Sequence, residues 1–203
     1  MWFDFLNTGD SEGQPRDEVA HYGRLQDWVN AIASTTSLSE VDAQRVGIWG
    51  TSLGGRDVLV VAGIERRLKA VVSQTPLIRW TAAAGARMAG YGDDMRRYQQ
   101  DLAADRESRA LGKEPAYVTF LGNYHGQITL QSYQPTALVD VTPLMELISP
   151  TPLLFILAEE DYLPGQRDAF AAANEPKSMV TISGNHFSPY TISKQNAIEA
   201  TRE

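Results

Sequence analysis

The sequence predicts an α/β fold, a doubly wound and mostly parallel sheet interrupted by a helical cap. Three observations carry this. Apolar runs at 46–50, 68–73, 152–158 and 178–183 are short and nearly unbroken, as strands buried on both faces require. Segments with helical periodicity alternate with these runs. Between the second and third runs lie some sixty aromatic-rich residues, too long for an ordinary crossover and better read as an inserted cap.

Composition limits the function classes. With 203 residues and 43% hydrophobic content the chain can bury one sizeable core. A formal charge of -7 argues against nucleic acid or an anionic membrane surface as partner. No apolar run reaches the roughly 18 residues of a membrane span. Zero cysteines exclude disulfides, thiolate metal sites and a cysteine nucleophile. The three histidines, His21, His125 and His186, show no metal-binding spacing, so neither a metal nor another cofactor is expected. The N-terminus lacks the basic flank and cleavage site of a secretory signal, which leaves the cytoplasm as the expected location.

In chain order, residues 2–5 read as a short strand ending at the turn cluster Gly9 to Gly13. Asp17 opens a helix with Val19, Tyr22, Leu25, Trp28, Val29 and Ile32 on its apolar face, and His21 beside that face needs no function. After the strand at 46–50, Leu53 to Ala62 form a helix with Gly63 as its C-cap, and the strand at 68–73 runs into Gln74. The cap, 78–140, holds a helix over 93–111 and many aromatics, among them Trp80, Tyr98, Phe120, Tyr124 and Tyr133. Each of these serves more simply to hold the cap together than to line a pocket. His125 is open between pocket and surface. A short helix at 142–147 precedes the strand at 152–158, a helix over 164–173 follows it, and the last strand runs into Gly184-Asn185-His186. Residues 1–77 and 141–203 thus form the core and 78–140 the cap of one domain.

The chemistry centres on Gly50-Thr51-Ser52-Leu53-Gly54. A G-x-S-x-G arises by chance in roughly one such sequence in ten, so its context decides. Here a strand leads in and a helix leads out, the order that sets a serine at the apex of a strained turn. Gly50 and Gly54 are expected to let strand and helix approach, and the N–H of Leu53 to face an oxyanion. In a parallel sheet working residues collect at the carboxyl ends of strands, where Ser52, Asp161 and His186 all fall. A serine hydroxyl needs a base to take its proton, which His186 can do, and the imidazole needs a carboxylate to hold its tautomer. Glu159, Glu160 and Asp161 compete for that last role. The glutamates lie where the chain is still extended, which favours Asp161.

These residues resemble the α/β-hydrolase superfamily, and within it the dienelactone-hydrolase-like branch that includes fungal polyketide transferases and tailoring hydrolases. The resemblance rests on Gly9-Asp-Ser-Glu-Gly13, Arg45 to Gly55, Gln127 to Tyr133, Ser149 to Leu154, Asp161 and Gly184-Asn-His-Phe187. It implies a Ser52–His186–Asp161 triad with Leu53 in the oxyanion hole. The implied function is a serine hydrolase acting on an ester, thioester or lactone of a small organic or polyketide-like acid. Acyl transfer and a catalytically silent relative are the alternatives, a small acyl substrate is the expected partner, and a homo-oligomer is open. The family's first strands would precede Met1, so the expectation is an α/β-hydrolase-type sheet incomplete on its N-terminal side, with residues 2–5 as its next strand.

Overall fold

The computed structural model describes residues 1, 3–119, 126–136 and 140–190. Trp2, Phe120, Tyr124 and His125 lie outside the described residues. The chain divides into two compact units, one of residues 1–27 and 80–139, the other of 28–79 and 140–203.

The second unit holds the main sheet. Among the described residues it has four parallel strands, β1 (Gly47–Thr51), β2 (Ala70–Gln74), β5 (Leu153–Glu160) and β6 (Lys177–Asn185), in the order β1-β2-β5-β6. Parallel pairing demands long connections, and helices α2 (Leu53–Ile64) and α6 (Gln166–Ala172) supply two of them. The 3-10 segment Thr142–Ile148 packs against both helices. Phe155, Leu59, Ile78, Met145, Ile148 and Val58 are completely or almost completely buried, and removal of such side chains from water drives the packing. Gly63 lies inside α2 and is not its C-cap; that role falls to Glu65, whose N–H donates to the Val61 carbonyl. A Cβ at 63 would meet the Leu147 side chain at 3.4 Å, an ordinary contact.

In the first unit, helices α3 (Ala82–Met88), α4 (Met95–Ala110) and α5 (Tyr133–Thr136) accompany the antiparallel pair β3 (Tyr117–Thr119) and β4 (Gln127–Thr129). Ala86, Ala89, Tyr98, Leu102, Leu130 and Tyr133 form its core, with Tyr91 packed against them. Tyr98 and Tyr133 therefore belong to the core of this unit.

Three local expectations fail here. Residues 3–5 form no strand. Their chain is turned into a compact loop in which the Asp4 carboxylate accepts from the Asp10 N–H, the Asn7 N–H donates to Glu12, and the Asp17 N–H donates to Asn7. Helix α1 (His21–Ser37) starts four residues later than Asp17, because Asp17 adopts φ 58 and its carbonyl accepts from the Thr129 N–H, which takes it out of helical geometry. Ile32 on α1 is buried, but Tyr22 is 85% exposed and does not belong to the apolar face. His21 is buried, with Nε2 2.9 Å from the Ser132 carbonyl, a structural histidine in the first unit.

Candidate active site

The turn after β1 places Ser52 at φ 55 and ψ -116, a conformation that side-chain-bearing residues rarely adopt. Such strain persists only where the surroundings over-determine it. The Ser52 N–H donates to the Gln74 carbonyl at 3.0 Å, and the Ser52 carbonyl accepts from Leu77 at 3.0 Å and from Arg56 at 3.1 Å. Ser52 is thus clamped to the loop that follows β2. A Cβ on Gly50 would stand 2.3 Å from the Gly54 carbonyl oxygen, so Gly50 must be glycine. The expectation for Gly54 is corrected, since a Cβ there would meet nothing within 4 Å. Gly55 has the close approach instead, with Gln74 O at 2.9 Å and the Cα of Pro76 at 3.1 Å. Ser73 on β2 adds a hydrogen bond from its buried hydroxyl to the Gly55 carbonyl.

Asp161 follows β5 directly, whereas Glu159 and Glu160 are exposed within the strand. His186 follows β6 in a turn that Asn185 stabilises, its side-chain oxygen accepting from the Phe187 N–H. Gly184 precedes it at φ 94, where a Cβ would collide with Ser188. The three side chains meet. His186 Nε2 is 3.0 Å from Ser52 Oγ, and His186 Nδ1 is 3.1 and 3.2 Å from the two Asp161 oxygens. The imidazole and carboxylate side chains are only 4% and 3% exposed.

Burial alone would raise the Asp161 pKa. The hydrogen bonds from His186, the Leu163 N–H and the Gln166 amide outweigh it, and the carboxyl is held below its ordinary value. A carboxylate ionised at neutral pH suits a ring that must take up a proton. Leu53 opens α2, so its N–H belongs to the first-turn donors that lack an intrahelical acceptor.

Sequence reasoning did not single out the aromatic side chains around the imidazole. Tyr162 and Phe187 lie with ring centroids 5.3 and 5.1 Å from that of His186, and Tyr190 at 6.4 Å. Tyr162 and Tyr190 are 58% and 45% exposed, an apolar rim beside the buried ring. Proximity in sequence to Asp161 and His186 was the only available signal.

The four-stranded parallel sheet, with a strained serine after β1, an aspartate after β5 and a histidine after β6, has the α/β-hydrolase fold. Similar proteins agree. The acetyl xylan esterase (AXE1) family matches residues 14–112. Polyketide transferase ATR5 of Stachybotrys chlorohalonatus is 26% identical over 87% of this chain and 67% of its own length. Quorum-quenching protein AidA of Acinetobacter baumannii is 51% identical, but over only 36% of this chain and 24% of its own. The crystal structure of the α/β hydrolase GrgF from Penicillium superposes with a TM-score of 0.81 at 21% identity, covering 97% of this chain and 75% of that one. Among the curated relatives with the strongest matches, the chain spans well under half of each protein's length.

Proposed function

We propose that the chain carries the site of a serine hydrolase that cleaves an ester, thioester or lactone of a small organic or polyketide-like acid through an acyl-Ser52 intermediate. The observation that carries this is the hydrogen-bonded line from Asp161 through His186 to Ser52, with the serine on a strained turn. His186 Nε2 takes the Ser52 hydroxyl proton as Oγ bonds to the substrate carbonyl carbon. The carbonyl oxygen becomes an oxyanion facing the Leu53 N–H. The imidazolium then protonates the departing alkoxide or thiolate as the carbon–heteroatom bond breaks, leaving acyl-Ser52. Water repeats the sequence, giving its proton to His186 and releasing the acid, with Ser52 reprotonated. Asp161 holds Nδ1–H and offsets the charge of the ring without taking its proton.

Resolution of acyl-Ser52 by an alcohol or amine is the second reading, favoured by relatives named as a polyketide transferase and an acyltransferase. Only the final acceptor differs. A fluorophosphonate probe and a panel of p-nitrophenyl and thioester substrates test the first step. Labelling and turnover should both vanish in Ser52→Ala, and undiminished labelling there would remove the assignment. Product analysis with added alcohol separates hydrolysis from transfer.

A further inference from the structure

Gln166, the first residue of α6, is 6% exposed and makes two hydrogen bonds with one nitrogen. Its Nε2 donates to Asp161 Oδ2 at 2.9 Å and to the Pro76 carbonyl at 3.1 Å. Both partners are acceptors only, so the amide can face them in one orientation: flipped, its oxygen would meet a carboxylate and a carbonyl. Gly165 lets the chain reach this position. It sits at φ 87 with Arg79 and Ile78 side-chain atoms 3.1–3.2 Å from where a Cβ would stand.

Pro76 belongs to the loop that clamps Ser52 through Gln74 and Leu77. That loop is itself strained, since the buried Thr75 adopts φ 40 while its N–H donates to the Ile156 carbonyl at 2.7 Å. One side chain therefore reaches both the carboxylate and the loop that holds the serine. We propose that Gln166 is a positioning residue that fixes Asp161 relative to Ser52 by joining the carboxylate to the loop after β2. This rests on the serine-hydrolase reading above.

Two consequences follow from removing the amide. Among the described residues Asp161 then keeps the Leu163 N–H and His186 as donors, so its orientation loosens and the approach of His186 to Ser52 with it. Its charge is also less dispersed, so the imidazolium is held more firmly and the ring keeps its proton to higher pH. Tyr162 and Tyr190 are the other titratable groups beside the ring. Glu159, Arg167 and Asp168 line the 240 Å³ cleft that Asp161 and Gln166 share, and Asp168 is paired with Arg79.

The test is Gln166→Met, which keeps the length and removes both donors, beside the near-isosteric Gln166→Glu. With p-nitrophenyl acetate we expect kcat to fall about 10- to 100-fold in Gln166→Met with KM nearly unchanged. The acid limb of kcat/KM should move to higher pH, and further in Gln166→Glu, which adds a like charge. NMR titration of the His186 ring, assigned with His186→Asn, reads the same shift without substrate. Folded variants with wild-type kcat and titration would overturn the proposal, as would losses that merely follow the folded fraction. If Gln166→Met does not fold, Gln166→Asn, which keeps the amide neutral but shortens its reach, decides by the same kcat and titration. Absence of Ser52-dependent turnover in the wild type would remove the hydrolase reading, while the ring titration would still decide whether Gln166 acts on Asp161.

Discussion

Tyr190 Oη stands 2.5 Å from Thr51 Oγ1, joining the turn that carries His186 to the residue before Ser52. It is a second tie between the histidine loop and the nucleophile turn, beside the contact of His186 with Ser52 itself. Tyr190→Phe removes it and keeps the ring. An exposed hydrogen bond is worth about 0.5–1.5 kcal/mol, so kcat/KM should fall by no more than about tenfold. Steady-state kinetics on a p-nitrophenyl ester checks this, and an unchanged kcat/KM would show that the tie carries nothing.

The three glycines of the turn should behave differently. Gly50→Ala and Gly55→Ala push a methyl onto backbone atoms and should each destabilise by about 1–3 kcal/mol. Gly54→Ala meets open space inside a helix and should be neutral or stabilise by roughly 0.5–1 kcal/mol. Urea denaturation midpoints separate the two outcomes, and a Gly54→Ala as damaging as Gly50→Ala would contradict the geometry.

Among the carboxylates, Asp161→Asn should lower kcat by about 10⁴, the scale expected when the histidine loses the partner that holds its tautomer. Glu159→Gln and Glu160→Gln change exposed groups and should leave kcat within a factor of about three. A glutamate variant that is the most damaging of the three would reassign the acid.

The Asp161 carboxyl is held below its ordinary value of 3.8 in the folded protein. A depressed folded-state pKa means that the unfolded chain binds the proton first. The stabilisation is therefore fully present above the unfolded value and is lost as pH falls below 3.8 through the folded one. Comparing urea midpoints of wild type and Asp161→Asn from neutral pH down through that range should show the difference between them shrinking toward acid. A constant difference would mean that Asp161 is not the group responsible.

Much of the site was legible because its signals are local. Strand, G-x-S-x-G and helix occur within twenty residues, and Asp161 and His186 each follow an apolar run, so alternation and chain order were enough to place all three residues at the carboxyl ends of the strands. Glu159 and Glu160 could be set below Asp161 because the strand visibly continues through them.

The sequence by itself determined the parallel sheet and the three residues at the strand ends, since apolar period and turn chemistry act over a few neighbouring positions. Only the tertiary structure decided that residues 3–5 form no strand and that their loop closes on Asp17 through Asn7, that Gly55 and not Gly54 makes the close approach, and that Gln166 reaches both Asp161 and Pro76. Each of these depends on what another segment brings to the spot. Asp17 is held by Asn7 and Thr129, Gly55 faces the loop after β2, and Gln166 finds its second acceptor ninety residues away in sequence. A local pattern carries no record of such partners, because hydrogen bonds and steric contact depend on distance in space and not on distance along the chain.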